Sequence, residues 1–264
     1  MPGSKIVHHP NKDVSITFTE DDHKYIDSNN NNYISVTTII SEAFEKFDSI
    51  RIAKQICEKR GKTWQELVKE WNEAGKAATT LGTRVHENCE YQINGEIDRM
   101  HTASSDNVYE QILFNLAYKE VSKLMSNKNI IKLETEKLIF SPILKIAGSI
   151  DLLVTYKNGT YGIFDWKILS KGLSMVGFNN RCGILEATKN IPDSNYWHYA
   201  LQLQIYEIIL KVENYIDKNA TVSKTLNTFT DGHFKQFKMP NVKKECKELI
   251  KWVNNSYFKT IKKG

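Results

Sequence analysis

The chain has 264 residues, of which 41% are hydrophobic and 25% charged, a balance that excludes a disordered or coiled-coil protein and allows one domain with a sizeable core. No run of about 18 apolar residues is present, and the opening MPGSKIVHHPNKDVS lacks the apolar centre of a signal peptide, so no membrane association and an intracellular, cytoplasmic location are expected. The net charge is +5, and from His233 onward nine lysines face two glutamates, a pattern that suits either a phosphate backbone or a solvated helix face.

With MPGS set aside, VSITFTEDD and HKYID read as an N-terminal β-hairpin, SNNNN as a turn and YISVTTII as a further strand, because β-branched and aromatic residues dominate them. Apolar residues at three- and four-residue spacing predict helices from Ile50 to Arg60 and from Thr63 to Ala78. A third helix is expected to start after Thr79 or Thr80, either of which can cap it, and to run to Asn94 and Gly95; another covers Val108 to Met125. The period then changes to three strands, Leu133 to Phe140, Ile146 to Tyr156 and Thr160 to Ile168. An amphipathic helix from Trp197 to Val212, strands within Thr225 to Met239 and a helix from Val242 to Phe258 complete the chain. The fold class is α/β with a mixed central sheet flanked by helices, read as a single domain over 1–264: a core of about 79–240, an N-terminal hairpin and helices over 13–78, and a basic C-terminal helix over 242–260. Cys57, Cys89, Cys182 and Cys246 lie 32, 93 and 64 residues apart with no CxxC pair, which predicts reduced thiols and no iron–sulfur cluster.

The stretch AGSIDLLVTYKNGTYGIFDWK carries the chemistry. Asp165 and Lys167, two apart on a strand, project from one face. If Asn158 and Gly159 alone made the turn before them, paired positions would sum to 317 and Asp151 would face Trp166. A three-residue loop of Lys157, Asn158 and left-handed Gly159 lowers the sum to 316 and sets Asp151 against Asp165. Two facing carboxylates in an apolar sheet call for a cation, and Mg²⁺ or Mn²⁺ there, with Lys167 orienting or deprotonating water, would hydrolyse a phosphodiester. The acid-x-lysine triplet itself is not selective, since Asp22-His23-Lys24 and Glu245-Cys246-Lys247 repeat it; the apolar strand and the second carboxylate single out Asp165. On the preceding helix Gly82, His86 and Glu90 share a face, and on the later one Gln202 and Tyr206 do.

In this order, GTRVHENCE, GSIDLL, FDWK and QLQIY resemble the G-xxx-H-xxx-E, G-x-x-D, (D/E)-x-K and Q-xxx-Y motifs of the RecB-like branch of the PD-(D/E)XK nuclease superfamily, over about 125 residues. HKYID with YISVTTII is also similar to phage-type exonucleases related to the mitochondrial genome maintenance exonuclease. The resemblance implies a restriction-endonuclease-like core and a phage or viral origin. It implies His86, Asp151, Asp165 and the Trp166 carbonyl as metal ligands, Lys167 as catalytic lysine, and Glu136 as an auxiliary acid, with Glu134 as competitor. Glu90 would be a supporting partner, and Gln202 and Tyr206 would line a DNA groove. The implied activity is a Mg²⁺- or Mn²⁺-dependent exonuclease on single-stranded DNA or duplex ends, in recombination, replication or processing. Its alternatives are an endonuclease, an RNA-directed nuclease or a catalytically silent nucleic-acid-binding protein. A non-heme iron centre would need a second histidine, for which His198 is the candidate.

Overall fold

The computed structural model describes residues 3–20, 22–169, 172–230 and 232–258, so the end of the expected 242–260 helix and the lysines past 258 lie outside the described residues. Strands β1 (Ser4–His8), β2 (Ser15–Thr19), β3 (Lys24–Asp27) and β4 (Asn32–Ser35) precede helices α1 (Val36–Ala43), α2 (Ser49–Arg60), α3 (Trp64–Asn94) and α4 (Val108–Met125). Then come β5 (Ile130–Ser141), β6 (Ile146–Tyr156), β7 (Tyr161–Ile168), α5 (Asn195–Val212), β8 (Val222–Thr230), β9 (His233–Lys238) and α6 (Lys243–Trp252). The nine strands form one mixed α/β sheet in the order β1-β2-β3-β4-β6-β7-β8-β9, with β5 paired to β6 off that path.

Strand β6 has three neighbours. It pairs with β5 along its length, with β4 in parallel at Ile146 and Ala147, and with β7 from Leu152 to Thr155. A strand has two edges, so β4 and β7 share one, and residues 148–151 face the gap between them. One core packs the sheet against α1, α5 and α6; a second packs Leu152, Val154, Phe164, Trp166 and Phe229 against α3 and α4; a third lies under the N-terminal strands.

Four elements depart from the sequence reading. Strand β1 lies before the expected hairpin and extends the sheet. The VTTII segment, expected as strand, is helix α1: Ser35 Oγ accepts from Thr38 N at 2.9 Å, and Val36, Ile39, Ile40 and Ala43 bury one helical stripe that outweighs their β-branching. The two helices expected on either side of Thr79 and Thr80 are a single helix of 31 residues, opened by a Thr63–Glu66 capping box; Thr79 Oγ1 donates to Gly75 O at 3.0 Å within it instead of capping. Helix α5, expected to be amphipathic, is buried at every position from Leu203 to Leu210, because the sheet, α1 and α6 enclose it. Among the described residues no helix is long and apolar enough to cross a membrane.

Candidate functional site

The β6–β7 turn sets the site. Gly159 has φ +78, Tyr156 N donates to Thr160 O at 3.0 Å, and the pairs from Leu152↔Phe164 to Thr155↔Tyr161 all sum to 316. This is the three-residue loop, and its register extended by one pair faces Asp151 with Asp165. Asp151 Oδ2 accepts from Trp166 N at 2.9 Å, which ties its carboxylate to the strand opposite.

Alternation along β6 slips at this point. Ile146 and Ile150 belong to the α5 core and so does Leu153, whereas Leu152 and Val154 belong to the α3–α4 core. Strand β5 slips at its matching place: Ile139 joins the α5 core, while Leu133 packs on the other one. Between them stands Glu136, bracketed by the pairs Thr135↔Leu152 and Lys137↔Ile150 and therefore opposite Asp151. Its φ of +41 is a left-handed conformation that costs a glutamate on the order of 1 kcal/mol, a strain characteristic of functional positions. Ser149 Oγ donates to its carboxylate at 3.0 Å and Lys5 Nζ to its carbonyl at 3.0 Å. Glu134, by contrast, is held by Lys132 at 3.0 Å and Lys137 at 2.5 Å, away from this cluster.

Helix α3 brings His86 over the gap, with Nδ1 3.4 Å from Asp151 Oδ2 and Nε2 2.6 Å from the Trp166 carbonyl. One potential ligand atom each from His86, Glu136 and Asp151 lie within 4.8 Å of one another. Asp165 stands beside this group and not in it: it is 1% exposed and paired with Lys167 Nζ at 2.8 Å, yet neither of its oxygens has a hydrogen bond of regular geometry. Lys167 also donates to Trp166 O at 3.2 Å, lies 4.0 Å from Asp151 and sits over the Tyr199 ring at 5.4 Å.

The electrostatics express crowding. Burial raises the Asp165 pKa to about 7 against the pull of Lys167, with Asp151 adding to the rise. Burial and then Asp151 raise Glu136 to about 7. Burial lowers the His86 pKa despite Asp151, and although burial also disfavours the Lys167 ammonium, Asp165 and Asp151 outweigh it and raise that pKa. The crowded carboxylates of Glu136 and Asp151 and the imidazole of His86 form a donor set that could hold a metal ion.

Tyr206, expected in a groove, is 3% exposed behind the site, accepting from Gln202 Nε2 at 3.1 Å. A methyl at Gly148 would meet its Cε1 at 2.7 Å, so the glycine of GSID and the tyrosine of QLQIY are two halves of one packing contact. Glu90 lines the same cavity as His86 and Glu136, and its charge contributes to the rise at Glu136. His198 bonds Asp193 at 3.0 Å and is not part of the cluster. The sequence reading missed the wall of this cavity, of about 570 Å³, that comes from the N-terminal strands and the turn between β2 and β3: Lys5, Phe18 and His23. The sequence reading placed Phe18 and His23 in the expected hairpin and set Asp22-His23-Lys24 aside as a repeat of the acid-x-lysine triplet, with no local signal tying either to this cavity.

No family model and no curated protein matches the chain. Among solved structures it is similar to a “Putative exonuclease” from Eubacterium rectale, at 14% identity and a TM-score of 0.45 over 87% of this chain and 80% of that one. It is also similar to the protein SSO0001, at 15% identity and a TM-score of 0.27 over 66% of this chain and 86% of that one.

Proposed function

We propose that the chain is a metal-dependent nuclease of restriction-endonuclease-like fold that hydrolyses DNA phosphodiester bonds, as an exonuclease on single strands or duplex ends. The observation that carries this reading is the convergence of His86, Glu136 and Asp151 beside the buried Asp165–Lys167 pair. His86, Asp151 and Glu136 would hold Mg²⁺ or Mn²⁺, with Asp165 and the Trp166 carbonyl at its margin. Such an ion supplies neutralisation of phosphate charge and acidification of water. Lys167, 2.8 Å from Asp165 and 4.0 Å from Asp151, would orient the attacking water or a phosphate oxygen. Glu90 shapes the field around Glu136, and Tyr206 with Gln202 buttresses the strand that presents Asp151.

The test is digestion of end-labelled linear single-stranded, duplex and circular DNA, and of RNA, with Mg²⁺ or Mn²⁺, using Asp165→Ala as control. Metal-dependent shortening of linear DNA, absent in the variant and absent on circles, is expected. Cutting of circles would replace exonuclease by endonuclease, a preference for RNA would change the substrate, and binding without cleavage would leave a silent nucleic-acid-binding protein.

A further inference from the structure

The cavity beside the metal cluster has two unlike walls. On one side Phe18 stacks on Tyr25, with centroids 4.6 Å apart and planes at 26°, and His23 stands edge-on to Phe18 at 5.3 Å and 89°. Tyr25 is buried beneath, Phe18 is half-buried and His23 is exposed, so the pair Phe18–His23 is the aromatic surface a ligand would meet. His23 takes that position through a left-handed backbone, φ +50. On the other side α3 presents Gly82, where an added methyl would meet nothing within 4 Å. A glycine inside a helix costs roughly 0.5–1 kcal/mol relative to alanine, and no packing within the chain requires this one. It leaves a flat passage along the helix surface facing the aromatic wall.

The polar groups select the occupant. Glu20 and Glu90 border the cavity, while Lys5 is bonded to the Glu136 carbonyl at its mouth. Among the described residues neither carboxylate has an ion pair, and carboxylates repel phosphate and accept from the exocyclic amino groups of adenine, cytosine and guanine, which thymine lacks. The volume, about 570 Å³, falls in the ~300–1,000 Å³ range of small-ligand sites. Because His86 and Glu136 line the same cavity, its occupant adjoins the reacting phosphate.

Resting on the nuclease reading, we propose that this cavity holds the base of the nucleotide next to the cleaved phosphodiester, stacked on Phe18 and His23, with amine-bearing bases preferred over thymine.

The test uses single-stranded DNA, end-labelled, with an abasic site placed in turn at each of the first positions from either end, and initial rates in Mn²⁺ for wild type, Phe18→Leu and His23→Asn. Leucine keeps apolar bulk without an aromatic face, and asparagine tolerates the left-handed backbone; circular dichroism melts report folding, and exposed His23 serves if Phe18→Leu unfolds. One abasic position should slow the wild type about 5- to 150-fold, the loss of one stacked base. Each variant should be slowed on intact DNA and should lose most of that abasic penalty. An active wild type whose penalty persists undiminished in both variants, or which shows no penalty at any position, overturns the stacking pocket and leaves the nuclease reading in place. A wild type that cuts nothing removes both.

Discussion

Replacing Gly148 by alanine tests the contact that joins the strand of Asp151 to helix α5. The new methyl would lie 2.7 Å from Tyr206 Cε1 and 3.4 Å from Cζ, and Tyr206 is 3% exposed, so neither ring nor strand can yield without disturbing the core. Overpacking of this kind costs about 1–3 kcal/mol, and for a chain of this size each kcal/mol lowers Tm by roughly 2–4 °C. Thermal and urea denaturation of Gly148→Ala should show that loss. The diagnostic variant is the double one with Tyr206→Leu, which removes the ring and leaves room for the methyl. If the clash is the cause, the double variant is more stable than the sum of the single losses by at least about 1 kcal/mol. Additivity within ~0.3 kcal/mol would refute the packing account, and with it the claim that Gly148 is present for Tyr206.

Further expectations concern charge. Saturating Mg²⁺ or Mn²⁺ should stabilise the wild type, by about 2.7 kcal/mol at a hundredfold excess over Kd, and Asp151→Asn should abolish that gain in a thermal-shift titration. Glu136→Gln removes a charge that faces Asp151, so it should raise the Tm of the metal-free protein while weakening its response to metal; a lower Tm without metal would contradict the crowding argument. Glu213, 1% exposed, is desolvated by burial, but Lys12, Ser141 and the Ile143 amide outweigh this and lower its pKa from 4.5. Its contribution is present above pH 4.5 and is lost as pH falls through the depressed value, so Glu213→Gln should flatten the acid limb of stability against pH.

The facing of Asp151 and Asp165 could be read in the sequence because a hairpin turn has few solutions and glycine marks the left-handed position. The choice of Glu136 over Glu134 could not, since it depends on a left-handed backbone at a glutamate and on lysines at 132 and 137 that take Glu134 away. Helix α1 was hidden because VTTII satisfies both a β-branched composition and a helical stripe, and only its position after Ser35 decides. The Phe18–His23 wall was invisible for another reason: it reaches the site through pairing of β4 with β6, 112 residues later (146 − 34), which no local pattern encodes.

The uninterrupted course of α3 has a mechanical consequence. At 1.5 Å per residue its 31 residues make a rod of about 46 Å, anchored at Leu67 near one end and at Val85, Cys89 and Gln92 near the other, with nothing buried between. Its first turns carry α2 as an outrigger, and His86 sits on its anchored half. Because the helix runs unbroken from Trp64 to Asn94, the turns that pack on α2 and the turn that carries His86 share one axis.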